Sequence, residues 1–428
     1  MTTTSGYAFN GQKLISYSHE LKFRQLLKLN GIPFEDTLSI KEIFENINDN
    51  HPNYKPVLDK LYFEHVFYGN QKNIYFHNII NKPPSVSSFE SNIEGILENV
   101  MKQSSLPSQY SKYMNNKAFY LLDALNQSKV GAFFLLGLDK ECKDGKVENA
   151  RFLICQVVSR SGNAEYQLAS LEINYNEGFY LLMIRNLTNL DPLPDDDELL
   201  DGEKWDRGLN NYILSINDKL ISPLKIIENF QYIEDRKAMY NMCKDMDENL
   251  LREYRKIISD NVGDSINNSI RNWMEDLFDK DLPNGTKLKQ VSEKISSLVL
   301  AVYLEKMKGS IDLVEKAQKL GEKGYTTRIE FKSNKAGKGA TKSKNGKTPI
   351  ATEDMFHSLY IDFKGAQQLP KWSIAWFTDK KNDYIQTTIH ITKNHFKVVF
   401  LARRHLNKEI IYNVIRHINK YRTGNISS

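Results

Sequence analysis

Along the first half of the chain, apolar positions alternate between a helical and a strand period. Leu14, Leu21, Leu26 and Leu29, with Ser18 between them, are spaced for a helix over residues 12–29, which Asn30-Gly31 would stop. Ser39 three residues before Glu42 is a capping box at the head of "SIKEIFENI". The aromatic-rich "LYFEHVFYGNQKNIYFHNII" predicts two strands turning at Gly69-Asn70. Lys82-Pro83-Pro84-Ser85 breaks the pattern, and "SSFESNIEGILENVMKQ" and "YMNNKAFYLLDALNQS" predict helices. Three apolar runs follow, "GAFFLLGLD", "ARFLICQVVS" and "FYLLMIRNLTNL", with the turn-rich "KECKDGKVEN" and "YNEG" between them. They predict the centre of a largely antiparallel sheet, to which "NNYILSIND" adds a strand.

From Pro223 to Glu315 the pattern turns helical, through "ENLLREYRKIISD", "SINNSIRNWMEDLF" and "KLKQVSEKISSLVLAVYLEKM". Beyond Gly324, strands are predicted at "YTTRIEFKS", "HSLYIDFKG", "WSIAWFT", "YIQTTIHI" and "FKVVFLA". A last helix, "NKEIIYNVIRHINKY", sets Ile411, Val414, Ile415 and Ile418 on one face. The expected class is α+β: a mixed, largely antiparallel N-terminal sheet, a helical middle, and a basic strand-rich C-terminal domain. The expected domains are 1–222, 223–320 and 321–428.

With 428 residues, 40% of them hydrophobic and 26% charged, the chain is that of a globular protein able to bury a sizeable core. No run of eighteen apolar residues predicts a membrane span, and "MTTTSGYAFNGQKL" lacks the pattern of a signal peptide. The three cysteines, Cys142, Cys155 and Cys243, form no CxxC pair, which argues for a reducing, cytoplasmic setting and against a disulfide frame. Charge changes the picture more. Residues 321–428 hold 20 Lys+Arg against 8 Asp+Glu, whereas the other 320 hold 38 against 45. That polarity points to a polyanion partner for the C-terminal part, the alternative being a solvated basic surface.

The basic surplus is densest in "FKSNKAGKGATKSKNGKTPI", residues 331–350, with six lysines and no acid. A phosphate-gripping nucleotide loop would need a glycine five residues before Gly346, and Thr341 stands there. Two readings remain: a polar, mobile linker, or a basic arm whose lysines each reach a phosphate. The candidate nucleic-acid contacts are Arg328, Lys332, Lys335, Lys338, Lys342, Lys344, Lys347, Lys393, Lys397, Arg403 and Arg404. For nuclease chemistry, Glu330 with Lys332 and Asp362 with Lys364 have the acid-x-Lys form in which the carboxylate holds magnesium and the lysine orients water. A cross-strand Glu–Lys pair looks identical in sequence. His390, His395 and His405 lack a third zinc ligand at a recognisable spacing, and no metal or other cofactor is expected unless the protein is a magnesium nuclease. The segment 191–206 carries eight acids in no calcium-loop order and is a candidate shield over the lysines.

Two pieces, "GAFFLLGLDKECKDGKVENARFLICQVV" and "YIQTTIHITKNHFKVVF", resemble the bacterial nucleoid-associated protein family, the first in its strand, Asp-Gly turn and strand, the second in its basic and aromatic hairpin. The resemblance implies non-enzymatic binding of DNA in the bacterial cytoplasm, at the nucleoid, and it transfers no individual residue. The absence of helices with Arg, Asn and Gln arrays favours largely sequence-independent contact with the backbone, and duplex DNA is the expected partner. The alternatives are a magnesium-dependent nuclease or DNA-binding subunit of an antiviral (phage) defence system, and a charged scaffold that docks with a partner subunit or another copy of itself.

Overall fold

The computed structural model of the chain describes residues 7–104, 113–185, 187, 190–191, 201–278, 283–307, 312–333, 337–380 and 383–424, without the side chains at 103–104, 201–208 and 333. It divides into two compact units, Met1–Phe230 with Arg403–Lys408, and Gln231–Ala402 with Glu409–Ser428. The helices expected to form a separate middle domain, 223–320, instead supply the core of the C-terminal strands, so the expected boundaries at 222 and 320 are not those of the compact units.

In the first unit, α1 (Glu20–Leu29) follows a 3-10 turn at Gln12–Tyr17. The helix predicted over 12–29 is thus broken, because Ser18 is extended and starts a new segment. α2 (Ile40–Asn50) opens on the predicted capping box: the Glu42 N–H donates to Ser39 Oγ, and Glu42 Oε2 accepts from the Ser39 N–H at 2.7 Å. α3 (Lys55–Gly69) replaces the first predicted strand of the aromatic segment, and only β1 (Asn73–Asn78) is extended. Leu61, Tyr62, Phe63, Val66, Phe67 and Tyr68 are all buried, so over residues 61–69, where the strand was expected, only Glu64 breaks the apolar enclosure and little helical period can be read.

α4 (Val86–Ser104) is as predicted, whereas "YMNNKAFYLLDALNQS" is not helical. Asn115 Oδ1 accepts from the Lys117 and Ala118 N–H groups, a side-chain turn that leads instead into the short β2 (Phe119–Tyr120). β3 (Phe133–Lys143), β4 (Lys146–Arg160), β5 (Asn163–Asn174) and β6 (Phe179–Ile184) form antiparallel pairs in chain order, and the sheet of this unit runs β2-β3-β4-β5-β6-β1. The predicted strand "NNYILSIND" is instead the end of α5 (Asp201–Ile216) and a π-helical turn, because Leu209, Tyr212 and Ile216 bury one helical face.

α3 covers one face of this sheet, where Phe67 O accepts from Ser170 Oγ at 2.7 Å and Asp139, Arg151 and Glu172 lie in one cross-strand row. Arg151 reaches Asp139, Glu64 at 3.0 Å and Glu141 at 3.5 Å, and Tyr68 donates to Glu172. The segment 403–408 also belongs here. Leu406 N–H donates to Gly69 O at 2.9 Å, and the His405 ring stacks on His65 at 4.1 Å. A Cβ on Gly69 would meet that ring at 1.7 Å, which is why the last residue of α3 is a glycine.

The two rings carry a pH signature. Burial, with the neighbouring histidines adding, holds His65 down to about 3, and burial likewise holds His405 down to about 4. Their folded values lie below the unfolded value of about 6.5, so the stability they contribute is complete above that pH and drains as pH falls toward 4. Each neutral ring costs up to about 1.4 kcal/mol per pH unit within that window. Urea unfolding between pH 7 and 4.5 is expected to lose stability less steeply in His65→Gln/His405→Gln than in the parent chain; parallel losses would mean that the pair does not titrate in this window.

The second unit opens with α6 (Tyr232–Phe278), a 47-residue helix about 70 Å long, followed by α7 (Gly285–Lys306) and α8 (Leu313–Lys319). β7 (Gly324–Ser333) and β8 (Gly337–Lys342) come next, so half of the lysine-rich stretch is paired strand rather than linker. The predicted strand "HSLYIDFKG" is part of α9 (Asp354–Ala366). Phe356, Tyr360 and Phe363 recur there at helical spacing and are buried, and Phe363 meets Phe331 of β7 with ring centroids 5.8 Å apart. β9 (Lys371–Phe377), β10 (Tyr384–Ile391), β11 (Phe396–Phe400) and α10 (Lys408–Arg422) complete the unit as predicted. All described pairs are antiparallel, in the order β11-β10-β9-β7-β8.

One face of this sheet is the core. Ile329, Phe331, Trp372, Ile374, Ile389 and Val398 point to it and are buried, as are Met239, Met242 and Cys243 of α6 and Ile411, Val414, Ile415 and Ile418 of α10. The other face carries the charges. Cys142, Cys155 and Cys243 are all unbridged, and no helix among the described residues is long and apolar enough to cross a membrane.

Candidate nucleic-acid interface

Antiparallel register fixes which polar side chains share the charged face. Lys397 of β11 is opposite His390 of β10, His390 opposite Lys371 of β9, Lys371 opposite Glu330 of β7, and Glu330 opposite Ala340 of β8. Five strands at about 4.8 Å spacing make this row about 19 Å wide. On the hairpin beside it, Arg328 is opposite Lys342 and Lys332 is opposite Lys338. Both are like-charge pairs placed directly across from one another, an arrangement that destabilises a sheet. Ala340, Ser373 and Ala375 share this face, Ala375 being buried opposite Tyr325, whose hydroxyl donates to Lys347 O.

Glu330 is the one carboxylate of the row. Its oxygens meet Lys338 Nζ at 2.8 Å, the Arg328 guanidinium at 3.4 Å and Lys371 Nζ at 3.9 Å. The Lys338 hydrogen bond chiefly, with Lys371 and Arg328 adding and burial opposing, holds its carboxyl below the usual range. The Glu–Lys cross-strand pairing weighed from the sequence is therefore what Glu330 makes, though with Lys338 and Lys371 rather than with Lys332. Burial, with Lys371 and Lys397 on either side, pushes His390 down to about 4, so its ring is neutral near pH 7.

The other sequence candidates are dispersed. Lys344 and Lys347 are exposed on the turn after β8, where Asn345 Oδ1 accepts from the Lys347 and Thr348 N–H groups. Those are the donors a nucleotide loop would offer to phosphate, and here a side chain holds them. Lys393 is exposed on the turn between β10 and β11. Arg403 and Arg404 belong to the first unit, and Lys335 lies outside the described residues. Asp362 and Lys364 sit on α9, not on a strand, so two residues apart they do not share a face; Lys364 pairs with Glu293 of α7 at 2.9 Å.

Among the described residues no group of three His, Cys, Asp or Glu side chains is placed to hold a metal ion. Of the acidic segment, 192–200 lies outside the described residues, as do the side chains of 201–206; Asp191 accepts from the Ser161 and Gly162 N–H groups and braces the β4–β5 turn. Lys371 was missed from the sequence, although the alternation of "KWSIAWF" places it with Ser373 and Ala375 on the polar face. Comparison with family models, with curated proteins and with solved structures finds no match to this chain.

Proposed function

We propose that the protein binds the phosphate backbone of duplex DNA through the charged face of the second unit's sheet, without reading bases and without cleaving the strand. The observation that carries this reading is the pair of like-charge juxtapositions, Arg328 with Lys342 and Lys332 with Lys338, beside a row that adds Lys371 and Lys397. A fold gains nothing by facing cations against cations, whereas a polyanion laid across them turns repulsion into attraction. The unit as a whole holds 32 Lys+Arg against 24 Asp+Glu, while the first unit holds 26 against 29. Glu330 fits a binding role: it keeps three cations oriented when no phosphate is present and can yield them one by one. The resemblance to nucleoid-associated proteins points the same way, to a bacterial cytoplasmic setting.

The test is gel retardation of a duplex by the intact protein between about 50 and 200 mM salt, with and without magnesium. Retardation that weakens linearly in log[salt], with the duplex recovered whole, is expected. No retardation at low salt would sink the proposal. Magnesium-dependent cleavage removed by Glu330→Gln would replace it with the nuclease reading.

A further inference from the structure

A cavity of about 420 Å³ opens between α6, α7 and α9, on elements that take no part in the charged sheet face. We infer that it binds a small phosphate monoester whose polar body has the size of a sugar or nucleoside. Three cations line it, Arg255, Lys289 and Lys364, against one carboxylate, Glu293, which is already paired with Lys364. Lys289 has no carboxylate at ion-pair distance among the described residues. The Arg255 guanidinium lies 4.1 Å from the Tyr360 ring centroid and donates to the Tyr360 hydroxyl. Its Nε is buried with no hydrogen-bond partner. An arginine held in place by a neighbouring ring brings a fixed positive charge to the cavity wall, which suits a phosphate. Ser259 and Ser296 add hydroxyls suited to a sugar, and the volume lies in the range of small-ligand sites.

A second observation comes from the backbone. Gly263 sits inside α6, where glycine is the least favourable residue after proline. Packing does not require it, since an added Cβ would meet only Ser259 Oγ, at 3.6 Å. Gly263 lines the cavity, so what its missing side chain preserves is the space itself.

The experiment is titration of the full-length protein with AMP, ribose 5-phosphate, inorganic phosphate and adenosine at constant ionic strength, read by calorimetry and by thermal shift. AMP and ribose 5-phosphate should bind and raise the melting temperature, inorganic phosphate should bind more weakly, and adenosine should fail. Lys289→Ala, an exposed position, should weaken AMP about tenfold or more, as loss of a charge-assisted contact does. Gly263→Leu should abolish binding, whereas Gly263→Ala should raise the melting temperature of the free protein and still weaken AMP. A duplex with 5′-phosphate ends that displaces AMP, when a 5′-hydroxyl duplex does not, would assign the phosphate to a strand terminus; no displacement assigns it to a free small molecule. If AMP and ribose 5-phosphate fail to bind, or if they bind Gly263→Leu and Lys289→Ala as tightly as the parent, the inference is wrong. The backbone-binding proposal survives either result, because none of these residues lies on the sheet face.

Discussion

Replacing Lys332, Lys338, Lys342 and Lys371 together with alanine is expected to weaken duplex DNA binding on the order of 10³-fold near 0.1 M salt. Each phosphate contact contributes about 0.9 to the slope of log K against log[salt], so the slope should flatten by roughly three to four units. The fold should survive. Lys338 is 63% exposed and its bridge to Glu330 is a surface pair, worth about 0–1 kcal/mol. The change also deletes the Lys332–Lys338 repulsion and one member of the Arg328–Lys342 pair. A control with the same charge change, Lys41, Lys102, Lys237 and Lys319 to alanine, removes exposed lysines that belong to helices and not to the charged strands. Equal losses in the two variants would show that net charge alone is felt. A loss confined to the sheet variant locates the contact on the charged sheet face.

The second large effect is structural and belongs to the first unit. Arg151→Ala should destabilise that unit by about 3–5 kcal/mol, measured as a lowered urea midpoint for its transition. The Arg151 side chain is 3% exposed and Asp139 6% exposed, and the two are in contact, with Glu64 and Glu141 completing the ring around the guanidinium. Removing the arginine strands Asp139 in a site that water hardly reaches, with the Tyr120 hydroxyl at 3.0 Å its remaining side-chain donor among the described residues. The paired change Arg151→Met/Asp139→Leu should recover much of the loss, because it removes both buried charges and keeps the volume. If the double variant is less stable than Arg151→Ala, the network stabilises the unit by more than the pairing of these two charges.

Where an element keeps one face in solvent, its period was written in the residues. The Ser39–Glu42 capping box and the Ile411, Val414, Ile415, Ile418 stripe of α10 needed no partner to be recognised, and both are in place. β3, β4, β9, β10 and β11 were marked by long apolar runs between turn residues. The antiparallel α+β class followed from these.

Elements enclosed by the fold hid their period. The aromatic half of α3, residues 61–69, is buried apart from Glu64, so its aromatics imitate a strand. "HSLYIDFKG" alternates well enough to pass for a strand, and only the packing of Phe363 on Phe331 and of Tyr360 under Arg255 selects α9. β5 was overlooked because Gln167, Ser170, Glu172 and Asn174 look like surface residues; in the fold they are buried, with Phe67 O accepting from Ser170 and Tyr68 donating to Glu172. The candidate interface divides along the same line. Composition alone located the basic surplus, and Lys332, Lys338 and Lys342 were identified within it. That Lys397, His390, Lys371 and Glu330 form one row, drawn from residues 67 positions apart in the chain, depends on strand register across four neighbouring strands. Local sequence sets the propensity of a strand and the charge it carries; which strands lie side by side, and which residues then face each other, is settled by how the apolar faces close over a shared core.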